Sequence, residues 1–221
     1  MRLFLVMAIL FCGSPVAIAV DDDQKLLQLL ETPRLSRLKT IHLESEYSAE
    51  VDNKDRKQIA RQLIEQYQER LSELNLATAG NVFAKINRIL NDFPDLNSLN
   101  LRLLVEQAKF QINEQRFFEW WHQACPAAQI ATIQNEFLKI GDRVRSIINA
   151  AKEERSSIVV ALPISDADEP IYRNRIAKLD DMIVRCQYLR GWLSYFLSVF
   201  TPTRKPRFLK ESKSAFYQAL Q

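Results

Sequence analysis

A regular series of apolar residues between positions 130 and 151 constrains the fold of this chain more than any other feature. Its members are Ile130, Ile133, Phe137, Ile140, Val144, Ile147 and Ala151. Steps of three and four residues place all of them on one face of an α-helix, over about six turns. The sequence therefore predicts a long amphipathic helix in this region, with one buried face.

Most of the chain shows the same helical spacing between successive prolines. Proline resists helical geometry in the residue before it, and it fits well in the first turn of a new helix. The predicted helices cover residues 24–31, 34–47, 53–74, 82–93, 98–115, 126–155, 169–200 and 208–221. Residues 116–124 either continue the fifth of these helices or kink away from it.

The scarcity of glycine supports an all-α fold. The chain contains four glycines, whereas an average composition would give about fifteen. All-β proteins commonly use glycine in their turns, so the low glycine content disfavours them. The hydrophobic fraction of 47% excludes a disordered chain. We expect antiparallel helical hairpins, stacked either as a bundle or as a short α-solenoid.

The first nineteen residues have the layout of a secretory signal peptide. Arg2 precedes an apolar run from Leu3 to Phe11, and Ala17 and Ala19 supply the small residues that a signal peptidase reads. The run is shorter than the roughly 20 residues needed to span a bilayer. We expect cleavage after Ala19 and an extracytoplasmic mature chain, periplasmic or secreted, without a transmembrane segment.

A short β-branched run interrupts the helical pattern after residue 156. Residues 158–162 read Ile-Val-Val-Ala-Leu, which fits either a short strand or a buried extended linker. A lone strand has no pairing partner here, so the linker is favoured. The predicted divisions are a signal peptide at 1–19, an N-terminal helical region at 20–155, a linker at 156–168 and a C-terminal helical hairpin at 169–221.

Two cysteines remain after signal cleavage, Cys125 and Cys186. In an oxidising compartment they could pair. Closing a loop of about 60 residues would stabilise the fold by roughly 4 kcal/mol in the chain-entropy model. The alternative is two buried free thiols, since cysteine often serves as a small core residue.

Residues with the spacing of a catalytic or metal site are missing from the sequence. The two histidines, His42 and His122, lack the paired spacing that binds zinc from one helix. Neither a nucleophile elbow nor a nucleotide-binding motif is present. We therefore predict no catalytic residue, no metal and no cofactor. With 30 basic and 27 acidic residues, the balance of charge gives no reason to expect nucleic acid as a partner.

The C-terminal segment from Tyr188 to Gln221 carries the residues of a known type of helical hairpin. The residues concerned are Tyr188, Leu189, Gly191, Trp192 and Tyr195 on the first helix and Ser212, Phe216, Ala219 and Leu220 on the second. This pattern resembles a tetratricopeptide repeat. Leu189 and Tyr195 each lie one position further from the glycine than in the family, Ser212 replaces an alanine, and the connecting loop is longer.

The resemblance implies a close contact between two helices and a surface that binds proteins. Gly191 and Ala219 would let the helix backbones approach, while Trp192 and Phe216 would fill the groove beside them. A scaffold of this kind takes a protein or peptide partner, either alone or as part of a longer array. The last helix is also a candidate surface for oligomer formation.

Aromatic residues supply the candidate ligand-binding positions. The segment 117–122 reads Phe-Phe-Glu-Trp-Trp-His, and its rings serve either as core or as a groove for a ligand. This segment and the C-terminal hairpin together supply four candidate ligand-binding residues: Trp120, Trp121, Trp192 and Tyr195. A basic run at 204–213 either touches an anionic surface or forms a solvated loop.

These observations favour an exported, non-enzymatic scaffold for protein–protein interaction. Two alternatives remain open at this point. One is an all-helical extracytoplasmic enzyme that acts on polysaccharide, which would need polar residues converging in a cleft. The other is a structural component of the cell envelope, which would need an apolar face for assembly.

Overall fold

The computed structural model describes residues 36–71, 74, 76–123, 127–161 and 169–220. The predicted signal peptide and the predicted helix at 24–31 lie outside this part of the chain. Within it we number the α-helices α1 (Ser36–Ala49), α2 (Asn53–Leu71), α3 (Leu76–Asp92), α4 (Leu99–Gln123), α5 (Ala127–Ala161), α6 (Glu169–Phe200) and α7 (Lys205–Leu220). Short 3-10 helices at Pro94–Leu96 and Pro202–Arg204 precede α4 and α7. The described residues contain no strand, and the predicted all-α class is confirmed.

The described residues fall into two compact units, divided after Leu63. In the described part of the first unit, Leu43 and Leu63 are buried and the guanidinium of Arg56 lies 4.7 Å from the ring centre of Tyr47. Asp52 caps the start of α2, since its Oδ1 accepts hydrogen bonds from the backbone N–H groups of residues 54 and 55.

In the second unit, α4, α5, α6 and α7 pack in sequence, each against the next. The predicted face of α5 is confirmed from Ile133 onward, and Ile130 is half-buried. The buried positions of this face are Ile133, Phe137, Ile140, Val144, Ile147 and Ala151. They form a core with α4 and α6 whose buried members include Phe110, Phe117, Phe137, Ile140, Val144, Leu193 and Phe196. The predicted arrangement of stacked helical hairpins is thereby confirmed.

Helix α5 extends further than the sequence predicts. It includes residues 156–161, so the extended linker is wrong for these residues, while 162–168 lie outside the described part of the chain. The reason is the register of Ile158, which follows Ala151 by two helical turns and continues the buried face of α5. It packs there with Leu179 of α6, and this burial outweighs the weaker helix propensity of the β-branched neighbours.

Ion pairs fix the relative positions of the packed helices. The buried carboxylate of Glu106 on α4 accepts hydrogen bonds from Arg143 Nε on α5, at 2.7 Å, and from Lys109 Nζ, at 2.9 Å. Arg155 Nε on α5 lies 2.6 Å from Asp180 Oδ1 on α6. Among the helices described, none combines the length and the apolar character needed to cross a bilayer.

Candidate binding surface

A network of aromatic rings joins α4 to α6 and contains all four predicted ligand-binding residues. Its centre is the pair Phe117 and Phe196, both buried, with ring centres 4.8 Å apart. Trp120 and Trp121 lie 5.6 and 5.9 Å from Phe117. Trp192 and Tyr195 lie 6.1 and 5.8 Å from Phe196. Residues distant in sequence thus come together on two neighbouring helices.

The segment 117–121 is partly core and partly surface. Phe117 is buried, Trp120 packs against the core, and Trp121 is 60% exposed. Trp192 and Tyr195 are also exposed on α6. The binding role of the four residues stays a prediction, but Trp121, Trp192 and Tyr195 present aromatic surface to solvent.

A groove of about 620 Å³ runs between α4 and α6. Its polar wall consists of Gln107, Gln111 and Glu114 on α4, and its opposite wall carries Tyr188 and Trp192 on α6. Buried apolar side chains lie at its base, and residues 68, 69 and 71 of α2 line it as well. We name this feature the α4–α6 groove.

Sequence reasoning missed most of the residues on the walls of the groove. Gln107, Gln111 and Glu114 follow one another at four and three residues, which places them on one face of α4. A polar stripe of this kind usually faces solvent, so the spacing alone does not distinguish it from an ordinary exposed face. Only the position of α6 beside it turns the stripe into the wall of a groove.

Charged side chains in the groove have contrasting surroundings. Arg185 Nη2 donates a hydrogen bond to Gln107 Oε1 at 3.0 Å, which links α6 to α4. Glu114 has no ion-pair or hydrogen-bond partner in the described part of the chain, and burial raises the pKa of its carboxyl. Glu114 therefore presents to the groove a carboxyl group that no other described side chain engages.

Gly191 lies at a close contact between α6 and α7, as predicted, but the group that meets it is the ring of Phe216, and the role of Ala219 stays a prediction. The ring of Phe216 on α7 packs directly on the Gly191 backbone, and a Cβ atom at this position would lie 2.6 Å from Phe216 Cε1. Beside it, Ser212 Oγ donates a hydrogen bond to the carbonyl oxygen of Gly191 at 2.8 Å. The ring centre of Trp192 lies 5.7 Å from that of Phe216. The resemblance to a tetratricopeptide repeat itself stays a prediction.

Cys186 is fully buried in the core formed by α4, α5 and α6. Burial raises the pKa of its thiol to about 12, against a smaller opposing effect of the neighbouring Arg185. A thiol in this environment is neutral and poorly nucleophilic. Cys125 lies outside the described residues, so the disulfide between the two cysteines stays a prediction.

Neither histidine is among the residues that line the α4–α6 groove. His42 Nε2 lies 3.3 Å from Glu46 Oε1, one turn further along α1. His122 is exposed near the end of α4. Over the residues that the structure describes, no group of histidine, cysteine and carboxylate side chains could hold a metal ion.

The described residues thus form an all-helical fold with exposed aromatic rings beside a groove. No protein-family model, curated protein or solved structure matches this chain. Its function must therefore be inferred from the chemistry of its own surface.

Proposed function

We propose that this chain is an exported, non-enzymatic scaffold that binds a segment of a partner protein, either alone or as part of a longer repeat array. The partner segment would lie in the α4–α6 groove. The observation that carries the proposal is the groove itself, with exposed aromatic rings along α6 and polar side chains along α4.

The chemistry of the two walls suits a peptide better than a small apolar ligand. Tyr188 and Trp192 are of the residue types that most often anchor protein interfaces, because they bury large area with few rotatable bonds. Gln111 carries both a donor and an acceptor for the N–H and C=O groups of a peptide backbone, and Gln107 keeps its amide N–H donors beside the bond from Arg185. The free carboxyl of Glu114 would favour a basic or hydrogen-bond-donating side chain in the partner.

Site-specific photocrosslinking in the envelope fraction tests this location. A photoreactive phenylalanine derivative at Gln111, on the wall of the groove, should yield a discrete crosslinked product. The matched control carries the same derivative at Lys152, an exposed position on α5, and should yield none. Equal products from both positions, or no product from either, would contradict the proposal.

A charge substitution in the groove provides a second measurement. Glu114→Arg places a cation and extra bulk in the α4–α6 groove, so most of the crosslinked product at position 111 should disappear. Glu153→Arg makes the same change at an exposed position of α5 and should leave the product intact. Retention of the product in Glu114→Arg would place the partner elsewhere.

Export is part of the proposal and has its own prediction. The envelope or extracellular form of the protein should have the mass of residues 20–221, with Val20 as its first residue. Ala17→Asp together with Ala19→Asp should block this processing, because the peptidase requires small side chains there. A full-length chain recovered from the cytoplasm of wild-type cells would argue against export.

One observation favours a second candidate, an all-helical extracytoplasmic enzyme that acts on polysaccharide. The raised pKa of Glu114 keeps its carboxyl protonated to higher pH and suits it to donate a proton. The rings of Tyr188 and Trp192 offer flat faces to sugars. Release of reducing ends from envelope polysaccharide by the wild type, but not by Glu114→Gln, would favour the enzyme. Crosslinking at position 111 without any such release would favour the scaffold.

A further inference from the structure

Helix α7 exposes a second apolar stripe in addition to the face that it buries. Its buried residues, Phe208, Ser212 and Ala215, pack against α6. Leu209, Tyr217 and Leu220 lie on a different side and are exposed, Leu220 to 84% and Tyr217 to 57%.

The exposed residues form one continuous surface together with one edge of the half-buried Phe216. Leu209, Lys213, Phe216 and Leu220 follow one another at four, three and four residues, and with Tyr217 they line a shallow crevice. A neighbouring apolar crevice joins Phe216 and Leu220 to Val184 and Tyr188 of α6. We name the surface formed by Leu209, Lys213, Phe216, Tyr217 and Leu220 the α7 stripe.

Positive charge surrounds the α7 stripe. The basic residues of this region are Arg204, Lys205, Arg207, Lys210 and Lys213, and all of them are exposed. The one acidic residue between positions 202 and 220 is Glu211, which accepts a hydrogen bond from Arg207 Nε at 2.8 Å. The formal charge of this region is therefore +4. Lys213 Nζ lies within the stripe itself, 5.7 Å from the ring centre of Tyr217.

We propose that the α7 stripe docks on the surface of a membrane that contains anionic phospholipid. Leucine and tyrosine side chains would enter the boundary between headgroups and acyl chains, and the lysines beside them would contact lipid phosphates. Tyrosine favours this interfacial depth, and Tyr217 is 57% exposed on the stripe. Such docking is peripheral, since α7 lies along the surface and does not cross it.

Charge complementarity selects lipid over a second copy of this chain. Two copies that met through the α7 stripe would bring two regions of charge +4 together and place Lys213 of each in an apolar interface. Burial of unpaired like charges is unfavourable. An anionic bilayer satisfies the charges and the apolar side chains at the same time. This inference is independent of the partner proposed for the α4–α6 groove.

Sedimentation with lipid vesicles tests the proposal on the chain that begins at residue 20. Phosphatidylcholine vesicles with about one third phosphatidylglycerol should bind the protein at least ~10-fold more tightly than vesicles of phosphatidylcholine alone. High salt should weaken the binding, because it screens the lysines from the lipid phosphates. Failure to bind the anionic vesicles, or equal binding to both kinds, would overturn the proposal.

Two pairs of variants separate charge from apolar insertion. Lys210→Glu with Lys213→Glu, and separately Tyr217→Ser with Leu220→Ser, should each abolish most of the vesicle binding. The matched controls are Lys152→Glu with Lys178→Glu and Val160→Ser with Ile171→Ser, all at exposed positions outside α7, and they should bind as the wild type does. Circular dichroism shows whether each variant keeps its helical content.

Light scattering tests whether a second copy of this chain, rather than lipid, covers the α7 stripe. The protein without lipid should remain the same size in the wild type and in Tyr217→Ser with Leu220→Ser. A wild-type dimer that this double variant dissociates, without vesicle binding by either form, would overturn the proposal in favour of self-association. Retained vesicle binding in both α7 double variants would also overturn it.

Discussion

Replacing Phe196 by alanine should lower the free energy of unfolding by about 4 kcal/mol, because it empties the centre of the aromatic network. Phe196 is buried, and its ring contacts Phe110, Phe117, Phe118, Phe137, Trp192 and Tyr195. These rings come from α4, α5 and α6, so one deletion removes packing among three helices. Phe196→Leu keeps most of the volume and should cost less than ~1.5 kcal/mol.

The neighbouring residue supplies the control for this prediction. Tyr195 also touches Phe196 but is exposed, so Tyr195→Ala should cost less than ~1 kcal/mol. Urea unfolding, followed by tryptophan fluorescence and by circular dichroism, measures all three variants. A loss from Tyr195→Ala as large as that from Phe196→Ala would mean that the network is not centred where the structure places it.

The helices were predictable because two independent signals in the sequence agree. Proline marks where helices begin or end, and the apolar spacing marks which face is buried. The series from Ile133 to Ala151 in α5 illustrates the strength of this combination, since each predicted position is buried. The error at residues 156–161 arose where propensity and tertiary contact disagree. The β-branched run disfavours a helix locally, but Ile158 gains a buried position against α6 by remaining helical.

The candidate site was predictable only in part, and the reason lies in how the helices align. Aromatic residues are conspicuous in the sequence, so Trp121, Trp192 and Tyr195 could be nominated. Their exposure depends on the register of α4 against α6, which pairs residues far apart in the chain, such as Phe117 and Phe196. The sequence around Glu114 does not mark it as a residue of a binding site, because a glutamate on a helix is ordinarily solvated.

The positive charge around α7 was visible in the sequence, but the exposed apolar residues beside it were not predictable. Five basic residues between positions 204 and 213 fit a solvated loop equally well. The structure shows that the run belongs mostly to a helix whose exposed side carries Leu209, Tyr217 and Leu220. Periodicity alone predicts one apolar face for such a helix, and α7 has a buried face and a separate exposed stripe.

Substituting Gly191 by alanine should destabilise the protein by about 1–2 kcal/mol, although alanine is the better helix former. Alanine within a helix ordinarily gains up to ~1 kcal/mol over glycine. At Gly191 the new Cβ would lie 2.6–2.7 Å from three atoms of the Phe216 ring. That ring is held by Tyr188 and Trp192, with ring centres 5.6 and 5.7 Å away, so it cannot move aside without losing these contacts.

A double-mutant cycle tests this argument, because removal of the Phe216 ring should reverse the sign of the stability change caused by Gly191→Ala. In a Phe216→Ala background the obstruction is gone, so Gly191→Ala should become stabilising by up to ~1 kcal/mol. Gly141→Ala is the matched control, because Gly141 also lies within a helix but a Cβ there would meet nothing within 4 Å. It should stabilise the protein in either background. If Gly191→Ala were stabilising in the presence of Phe216, the two helices would not be held in close contact at this point, and the resemblance to a tetratricopeptide hairpin would lose its physical basis.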